Sequence, residues 1–447
     1  MMYRLHEGTP LTESLISRLI EFARPELMRR CHLFDYYMAK HNILGRTFND
    51  INKPNNRVVS PYARYITDVA TGYFVGEPIS YKSDDPDLIE TINDTMKYND
   101  AAACDMDNAK NCSICGVGYE LEWIDKDGSY RFSSLDPREC FAVYDTNLEP
   151  EMLYFIRSYR DYDYTNNAFI EYVEVYSRYD YRLYKRTVAT LDLVEMRVHS
   201  FGCVPAIEYL NNKEMLGDFE AEITLIDAYD TLISNSVNDS NEFSDAYLVL
   251  TGMSGTTAED VAAMKTNRVL LMGDDSKAEW LTKNINSTYQ EDMKTRLDNE
   301  IHKFSGVPNL TDENFAQNSS GVAIRYKLLG LENITSKKEA SFRKGISRRL
   351  EIMCDYLKLL GADANYLNIE IVFTRNIPTN LAEIAGVLNQ IGHLLSEETQ
   401  LSLLPIDVDY EMEQERKRLE KEEGYDDQYL LGTESQTKRS ESSEISE

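Results

Sequence analysis

A chain of 447 residues and 51.5 kDa that is 42% hydrophobic and 28% charged has enough apolar material to bury cores, which excludes wholesale disorder. Its length favours two to four modules over one, because single cores stop growing at roughly 250–300 residues. With 76 Asp and Glu against 47 Lys and Arg, a net charge of −29, it is not built to hold nucleic acid by neutralising phosphates, which needs clustered cations.

The first residues, MMYRLHEGTPLTESLISRLIEF, lack a basic segment followed by a long apolar stretch. No apolar run approaches the roughly 20 residues of a membrane helix. The sequence therefore predicts a protein made in the cytosol with no membrane partner. Its seven cysteines (Cys31, Cys104, Cys112, Cys115, Cys140, Cys203 and Cys354) are odd in number and scattered, which fits reduced thiols better than a disulfide framework.

Up to about residue 85 the pattern is helical. Leu11, Leu15, Leu19 and Phe22 recur at helical spacing, and a second amphipathic stretch ends at Tyr37–Lys40. An exposed turn is expected at Lys53-Pro54-Asn55-Asn56, followed by a short helix and a Gly/Pro exit, and a helix pair over 87–112. From Val117 to about Tyr209 the period changes to two. VGYELEWI, the turn Asp125-Lys126-Asp127-Gly128 and SYRFSSL predict a hairpin, and the following tyrosine-rich runs predict an antiparallel sheet. Ten tyrosines between Tyr144 and Tyr184 fit half-buried strands, with a base-stacking surface as the other reading.

Residues 218–242 return to helical spacing. Phe219, Ile223, Ile226, Leu232, Ile233 and Val237 form the apolar stripe, Glu220, Glu222, Asp227 and Asp230 line an acidic side, and Asp218 is the expected N-cap. Such a helix spans about 35–38 Å. A small α/β insertion follows over 245–285, read as strand (YLVLTG), helix opened by the capping box Thr256–Glu259, and strands RVLLMGD and AEWLTK. A second helix at 287–304 makes the expected geometry two antiparallel struts with the insertion at their tip.

A polar loop, SGVPNLTDENFAQNSS, leads to about 40 helical residues in which Gly330 and Gly345 are expected kink points. Between Gly321 and Leu360 nine Lys and Arg face four acids, the one basic island of the chain. Ion pairing with acidic neighbours on this or another subunit, or a DNA-facing role, would each account for it. A strand (LNIEIVFTR), helical stretches at 379–393 and 396–404, a charged helix and a tail without an apolar face complete the chain.

No catalytic constellation emerges. A phosphate cradle of the form G-x-x-x-x-G-K-[ST] is absent, and the six histidines have no ligand spacing. Cys112-Ser-Ile-Cys115 with Cys104 and Cys140 could make a four-thiolate zinc site, but a single CxxC with irregular partners fits buried thiols better. The expectation is a non-enzymatic protein without metal or cofactor.

Three segments, SPYARYITDVATGYFVGEPISY (60–81), VPAIEYLNNKEMLGDFEAEITLIDAYDTLISNSVNDSNEF (204–243) and PNLTDENFAQNSSGVAIRYKLLGLE (308–332), resemble the bacteriophage portal proteins of the SPP1 Gp6-like family. The likeness covers roughly residues 10–405. It implies an α+β portal fold that closes, usually as twelve copies, into a ring around a channel for double-stranded DNA. The implied parts are a mixed α/β wing (1–217), stem helices (218–244 and 287–304), a small α/β clip (245–286), a tunnel loop (305–319), a kinked helix with a wing strand (320–375) and an α-helical crown (376–410). Residues 411–447, a charged helix and disordered tail, lie outside the likeness.

The resemblance further implies that Asn309, Thr311, Asp312, Glu313, Asn314, Gln317 and Asn318 face DNA in the tunnel loop. Glu220, Glu222, Asp227, Asp230, Lys294 and Lys303 would line the stem channel. Arg343, Lys344, Arg348 and Arg349 would form ion pairs between subunits. Implied partners are further copies of the chain, duplex DNA, the terminase large subunit, a head–tail adaptor, and the major capsid and scaffold proteins. Its place would be a unique vertex of the virion, reached from the host cytoplasm during assembly. An oligomeric adaptor or scaffold protein without DNA passage is the alternative.

Overall fold

Where the sequence period changes from 3.6 to two, the computed structural model turns from helix to sheet. The structure describes residues 3–50, 53–187, 190–244, 247–251, 257–267, 277–281, 287–311, 321–376, 386, 388–390, 392–402 and 412–419. The chain forms two units, one of residues 1–315 with 327–376 and a smaller one of residues 316–326 with 377–447.

In the larger unit, strand β1 (Tyr3–Arg4) precedes helix α1 (Glu13–Tyr37), which opens on Thr12, whose Oγ1 accepts from the Leu15 amide at 3.2 Å. The two helical stretches expected here are one. The helix continues through Pro25 because that residue is exposed, so the Glu21 carbonyl it leaves without an amide partner can turn to water. Helices α2 (Tyr62–Val75), α3 (Pro86–Tyr98) and α4 (Ala101–Cys115) follow, with the short strand β2 (Ser80–Lys82) between α2 and α3.

The Asp-Gly turn forms as its sequence dictates. Strands β3 (Val117–Ile124) and β4 (Tyr130–Leu135) pair antiparallel with Ile124 opposite Tyr130, and Gly128 takes φ +77°, which a side chain would disfavour. Strands β5 (Cys140–Tyr144), β6 (Met152–Asp163), β7 (Ala168–Tyr176), β8 (Asp180–Arg186) and β9 (Leu191–Val198) make a meander. With β1 parallel to β5, the six-stranded order is β1-β5-β6-β7-β8-β9. Strand β10 (Ala206–Leu210) returns beside β3 to give a second sheet, β10-β3-β4.

Strand alternation sends successive side chains to opposite faces. Ile156, Val173 and Val175 pack with Ile16, Leu19, Ile20 and Ala23 of α1. Phe155 and Ala142 turn the other way, toward Val117, Tyr119 and Ala206 of the second sheet. Each Val, Leu, Ile or Phe side chain so enclosed contributes roughly 1.5–3 kcal/mol. The tyrosine-rich runs are thus strands with one face in a core.

A 3-10 turn (Glu220–Glu222) leads into helix α5 (Ile223–Ser244). Strand β11 (Tyr247–Thr251), helix α6 (Ala258–Asn267) and strand β12 (Lys277–Leu281) come next, β11 and β12 being antiparallel. The capping box of α6 lies one residue later than expected: Thr257 Oγ1 accepts from the Asp260 amide at 3.3 Å while Asp260 Oδ2 accepts from the Thr257 amide at 2.9 Å. The strand expected at RVLLMGD lies outside the described residues. Helix α7 (Ser287–Ser305) runs back along α5, with Gln290 at its start reaching Asp239 near the end of α5 and its far end beside Tyr62, which also stacks edge-on against Tyr229.

Helix α8 (Gly321–Lys327) belongs to the smaller unit up to Tyr326, and helix α9 (Leu329–Leu359) to the larger. Gly345 does not break α9. It admits Tyr209 of β10, since a Cβ at this position would stand 2.4 Å from the Tyr209 ring. Strand β13 (Glu370–Val372) pairs with β2. In the smaller unit, helix α10 (Glu397–Ser402) and a helical segment at 412–419 are described.

Candidate functional site

The resemblance directs attention to the paired helices α5 and α7, the loop that leaves α7, and the basic helix α9. Helix α5 carries Asp227, Asp230, Ser234 and Asn238 at spacings of three and four, which puts them on one stripe. That stripe is occupied by Tyr36 of α1 and by the chain's own segments 41–50 and 53–60. The Tyr36 hydroxyl donates to Asp227 Oδ1 at 2.6 Å and Asn42 Nδ2 to Asp227 Oδ2 at 3.0 Å. His41 Nδ1 lies 2.6 Å from Asp230 Oδ2, and the Ser60 amide donates to Asp230 Oδ1 at 2.7 Å. The Val58 amide donates to Ser234 Oγ at 2.9 Å, and Asn56 donates twice to Asn238 Oδ1, at 2.8 and 2.9 Å.

Residues 41–50 and 53–60 thus form a strap read rung by rung by one helical stripe. His41 and Asp230 are both buried, and the His41 ring stacks on Tyr36 with centroids 4.5 Å apart. Its Nε2 lies 3.1 Å from the Tyr36 carbonyl, so both ring nitrogens face oxygen atoms. The exposed turn expected at Lys53–Asn56 is instead part of the strap, because Asn55 and Asn56 are half-buried and bonded to Arg46 and Asn238.

The acidic side expected to face a channel is therefore largely engaged within the subunit. Asp227 and Asp230 hold the strap. Glu220 meets Arg29 of α1 at 2.5 Å, and Arg29 also reaches the carbonyls of Cys115 and Met215. Glu222 is 4% exposed, and its Oε2 has no hydrogen-bond partner among the described residues. Burial, reinforced by the charge of Asp218, pushes its carboxyl up to about 7. Asp218 is not an N-cap: it is buried in an ion pair with Lys338 of α9, and it accepts from Ser113 Oγ and Asn211 Nδ2.

Lys294 and Lys303 lie on α7. Lys294 pairs with Glu291 at 2.7 Å, and Lys303 is exposed with its ammonium over the Phe304 ring. A shallow cleft along this helix is lined by Asp292, Thr295, Arg296, Asn299, Glu300 and Lys303, with Arg296 and Glu300 paired at 3.0 Å. Of the residues expected to face DNA in the following loop, Asn309 and Thr311 are described. Asn309 Oδ1 accepts from the amide and hydroxyl of Thr311 at 3.0 and 2.7 Å, a local turn. Asp312, Glu313, Asn314, Gln317 and Asn318 lie outside the described residues.

Helix α9 divides its cations. Lys344 is exposed and makes no ion pair among the described residues. Arg343 bonds Glu339 at 2.7 Å and the Ile371 carbonyl at 2.6 Å, and Arg348 bonds Glu351 at 2.5 Å. Arg349 corrects the expectation of a contact between subunits, because it is fully buried and bound to Glu120 of β3 and Asp105 of α4. Its guanidinium also stacks on the Phe132 ring, 4.4 Å from the centroid. Burial pushes the Glu120 carboxyl up, but Arg349 more than offsets this and leaves it below the ordinary range. Asp105 is raised by burial to about 6 against the pull of Arg349. Glu122 is held well above the ordinary range by burial and the Glu120 charge.

Three of the thiols weighed as zinc ligands have separate partners. Cys104 donates to Glu120 Oε2, Cys112 to the Tyr209 carbonyl and Cys115 to the Arg30 carbonyl, and Cys140 is buried in the core between the sheets. Among the described residues no cluster of three or more His, Cys, Asp or Glu side chains could hold a metal ion, and no helix is long and apolar enough to cross a membrane.

The family described as phage portal protein, SPP1 Gp6-like, matches residues 25–429. The portal protein of Bacillus phage SPP1 is 25% identical over 439 residues, 92% of this chain and 86% of that protein. The portal protein of Clostridium phage phiCD119 is 22% identical over 382 residues, 79% and 83% of the two chains. Among solved structures, a chain from the neck of an empty GTA particle, computed with C6 symmetry, aligns with a TM-score of 0.46 at 12% identity over 78% of this chain and 91% of that one.

Proposed function

This chain belongs to the SPP1 Gp6-like family of phage portal proteins, and from that membership we propose that it is the subunit of a twelve-membered ring at one capsid vertex. The ring encloses a channel for double-stranded DNA during packaging and ejection. Its work is geometric. ATP hydrolysis belongs to a separate terminase, whose large subunit docks on the α/β tip formed by β11, α6 and β12, as the head–tail adaptor does afterwards. The major capsid and scaffold proteins meet the outer body. Assembly takes place in the host cytoplasm and ends in the virion.

The observation that carries this reading is the antiparallel pair α5 and α7, bearing a small α/β unit at its tip and followed directly by a polar loop. In the ring, the exposed side of α7 with Asp292, Thr295, Arg296, Asn299 and Lys303 faces the bore. Charges of both signs stand there, with Arg296 paired to Glu300 and Lys294 to Glu291 along the helix, so a duplex with one charge per about 1.7 Å meets little net grip. Lys344 and the rim of α9 are left to meet a neighbouring subunit.

Electron-microscope images of the purified protein test the proposal. Turbine-shaped rings with a central hole wide enough for a duplex are the expected result. A monomer under all conditions, or a ring with a closed centre as an adaptor or scaffold would allow, overturns it.

A further inference from the structure

Helix α2 carries Tyr62 and Tyr65 nearly one turn apart, and both reach α7 or the chain leaving it. The Tyr62 hydroxyl donates to Asp298 at 2.6 Å, and its ring meets Tyr229 of α5 and His302 of α7 edge-on. The Tyr65 hydroxyl has two partners on the loop root: it donates to the Pro308 carbonyl at 3.0 Å and accepts from the Leu310 amide at 2.8 Å. One side-chain oxygen thereby satisfies an acceptor and a donor two residues apart, in a stretch that pairs with no strand among the described residues.

His302 secures the same root from the helix side. Its Nδ1 lies 2.9 Å from the Val307 carbonyl, which can only accept, so Nδ1 carries the hydrogen. The His302 ring stands edge-on to Tyr65 with centroids 5.5 Å apart and planes at 88°. Just before these anchors Gly306 takes φ +67°, a conformation that a side chain would disfavour. Val307 is buried in the turn.

We propose that Tyr65, together with His302, is a positioning clamp that fixes where the loop after α7 leaves the helix pair and ties its root to helix α2. The proposal rests on the reading of that loop as the part of the channel facing DNA. Any shift of α2 against α7 is then passed to the loop root through two hydrogen bonds on one hydroxyl. Tyr65 itself need not touch DNA.

The test uses intact rings of the full chain with Tyr65→Phe, which keeps the ring stack and removes only the hydroxyl. Hydrogen–deuterium exchange should show the Leu310 amide exchanging roughly five- to tenfold faster, as expected for one lost hydrogen bond. Ring assembly and the melting temperature should stay near native, while the DNA packaged per assembled head falls. His302→Phe, which keeps an edge-on ring and loses the bond to Val307, should loosen the same root, and the double variant should show less than the sum of the two. Unchanged exchange over 305–311 in both variants overturns the clamp. Faster exchange with undiminished packaging overturns the DNA-facing reading on which the role of the clamp depends.

Discussion

The Arg349 guanidinium lies 2.5 Å from Glu120 Oε2, and neither side chain has any exposed surface. The pair ties α9 to β3, with Asp105 of α4 as a third member at 2.7 Å. The consecutive elements α4 and β3 share one buried cation with the distant helix α9, and the charge is compensated only while all of them are docked.

Replacing Arg349 by Leu should therefore destabilise the subunit by about 3–5 kcal/mol, because Glu120 and Asp105 would be left buried without their cation. Lys should not rescue it, since a point charge cannot span two carboxylates as the guanidinium fork does. Arg348→Glu should leave subunit stability within about 1 kcal/mol of native, as its bond to Glu351 is partly solvated. Urea denaturation of the three variants checks the contrast. Equal effects at 348 and 349 would show that burial does not separate the two arginines.

Gly345→Ala gives two opposed contributions. Helix propensity favours Ala by about 1 kcal/mol. The new methyl would sit 2.4 Å from the Tyr209 ring, which is pinned by its own hydroxyl bond to Glu120 at 3.2 Å. Overpacking of this kind costs typically 1–3 kcal/mol, so a net loss of melting temperature is expected. A gain would mean that Tyr209 moves aside freely.

Local pattern made much of the fold legible. The Asp125–Gly128 hairpin, the tyrosine-rich strands and the α5–α7 pair each follow from a period and a turn signal contained in a few residues. The partners of charged side chains were not legible, because helical spacing tells which residues share a face and not what covers it. Asp227 and Asp230 look like a solvated acidic side until the strap of residues 41–50 and 53–60 is laid over them, and Arg349 looks like one of nine exposed cations. A signal was present in both cases. Ser234 and Asn238 continue the Asp227–Asp230 stripe with neutral groups suited to backbone amides, and Glu120 and Glu122 stand on one face of a strand whose other residues are apolar.

Asp230→Ala removes the acceptor for both His41 Nδ1 and the Ser60 amide. Two donors left inside the strap should cost roughly 2–4 kcal/mol. The strap should also become the first site of limited proteolysis, with cuts between residues 46 and 57, while α1 and α5 persist. An acid that only lined an open channel would leave stability and cleavage pattern unchanged, so the same measurement separates the two roles.

The pH dependence of stability is set in part by Glu222. Its folded-state carboxyl titrates at about 7, above an ordinary value of 4.5, because burial disfavours the charged form. The folded state therefore binds a proton that the unfolded chain has already released between these two values. The stabilisation from this group is present in full below about pH 4.5 and is lost as pH rises through 7. Glu222→Gln stays neutral throughout, so it should match the native protein near the lower end of that window. Above its upper end the variant should be more stable by roughly 1 kcal/mol after allowance for solvent screening. Thermal melts of the two proteins across this range provide the check. A stability difference that does not change with pH would mean that Glu222 is charged in the folded subunit, and that its buried oxygen finds a cation instead of a proton.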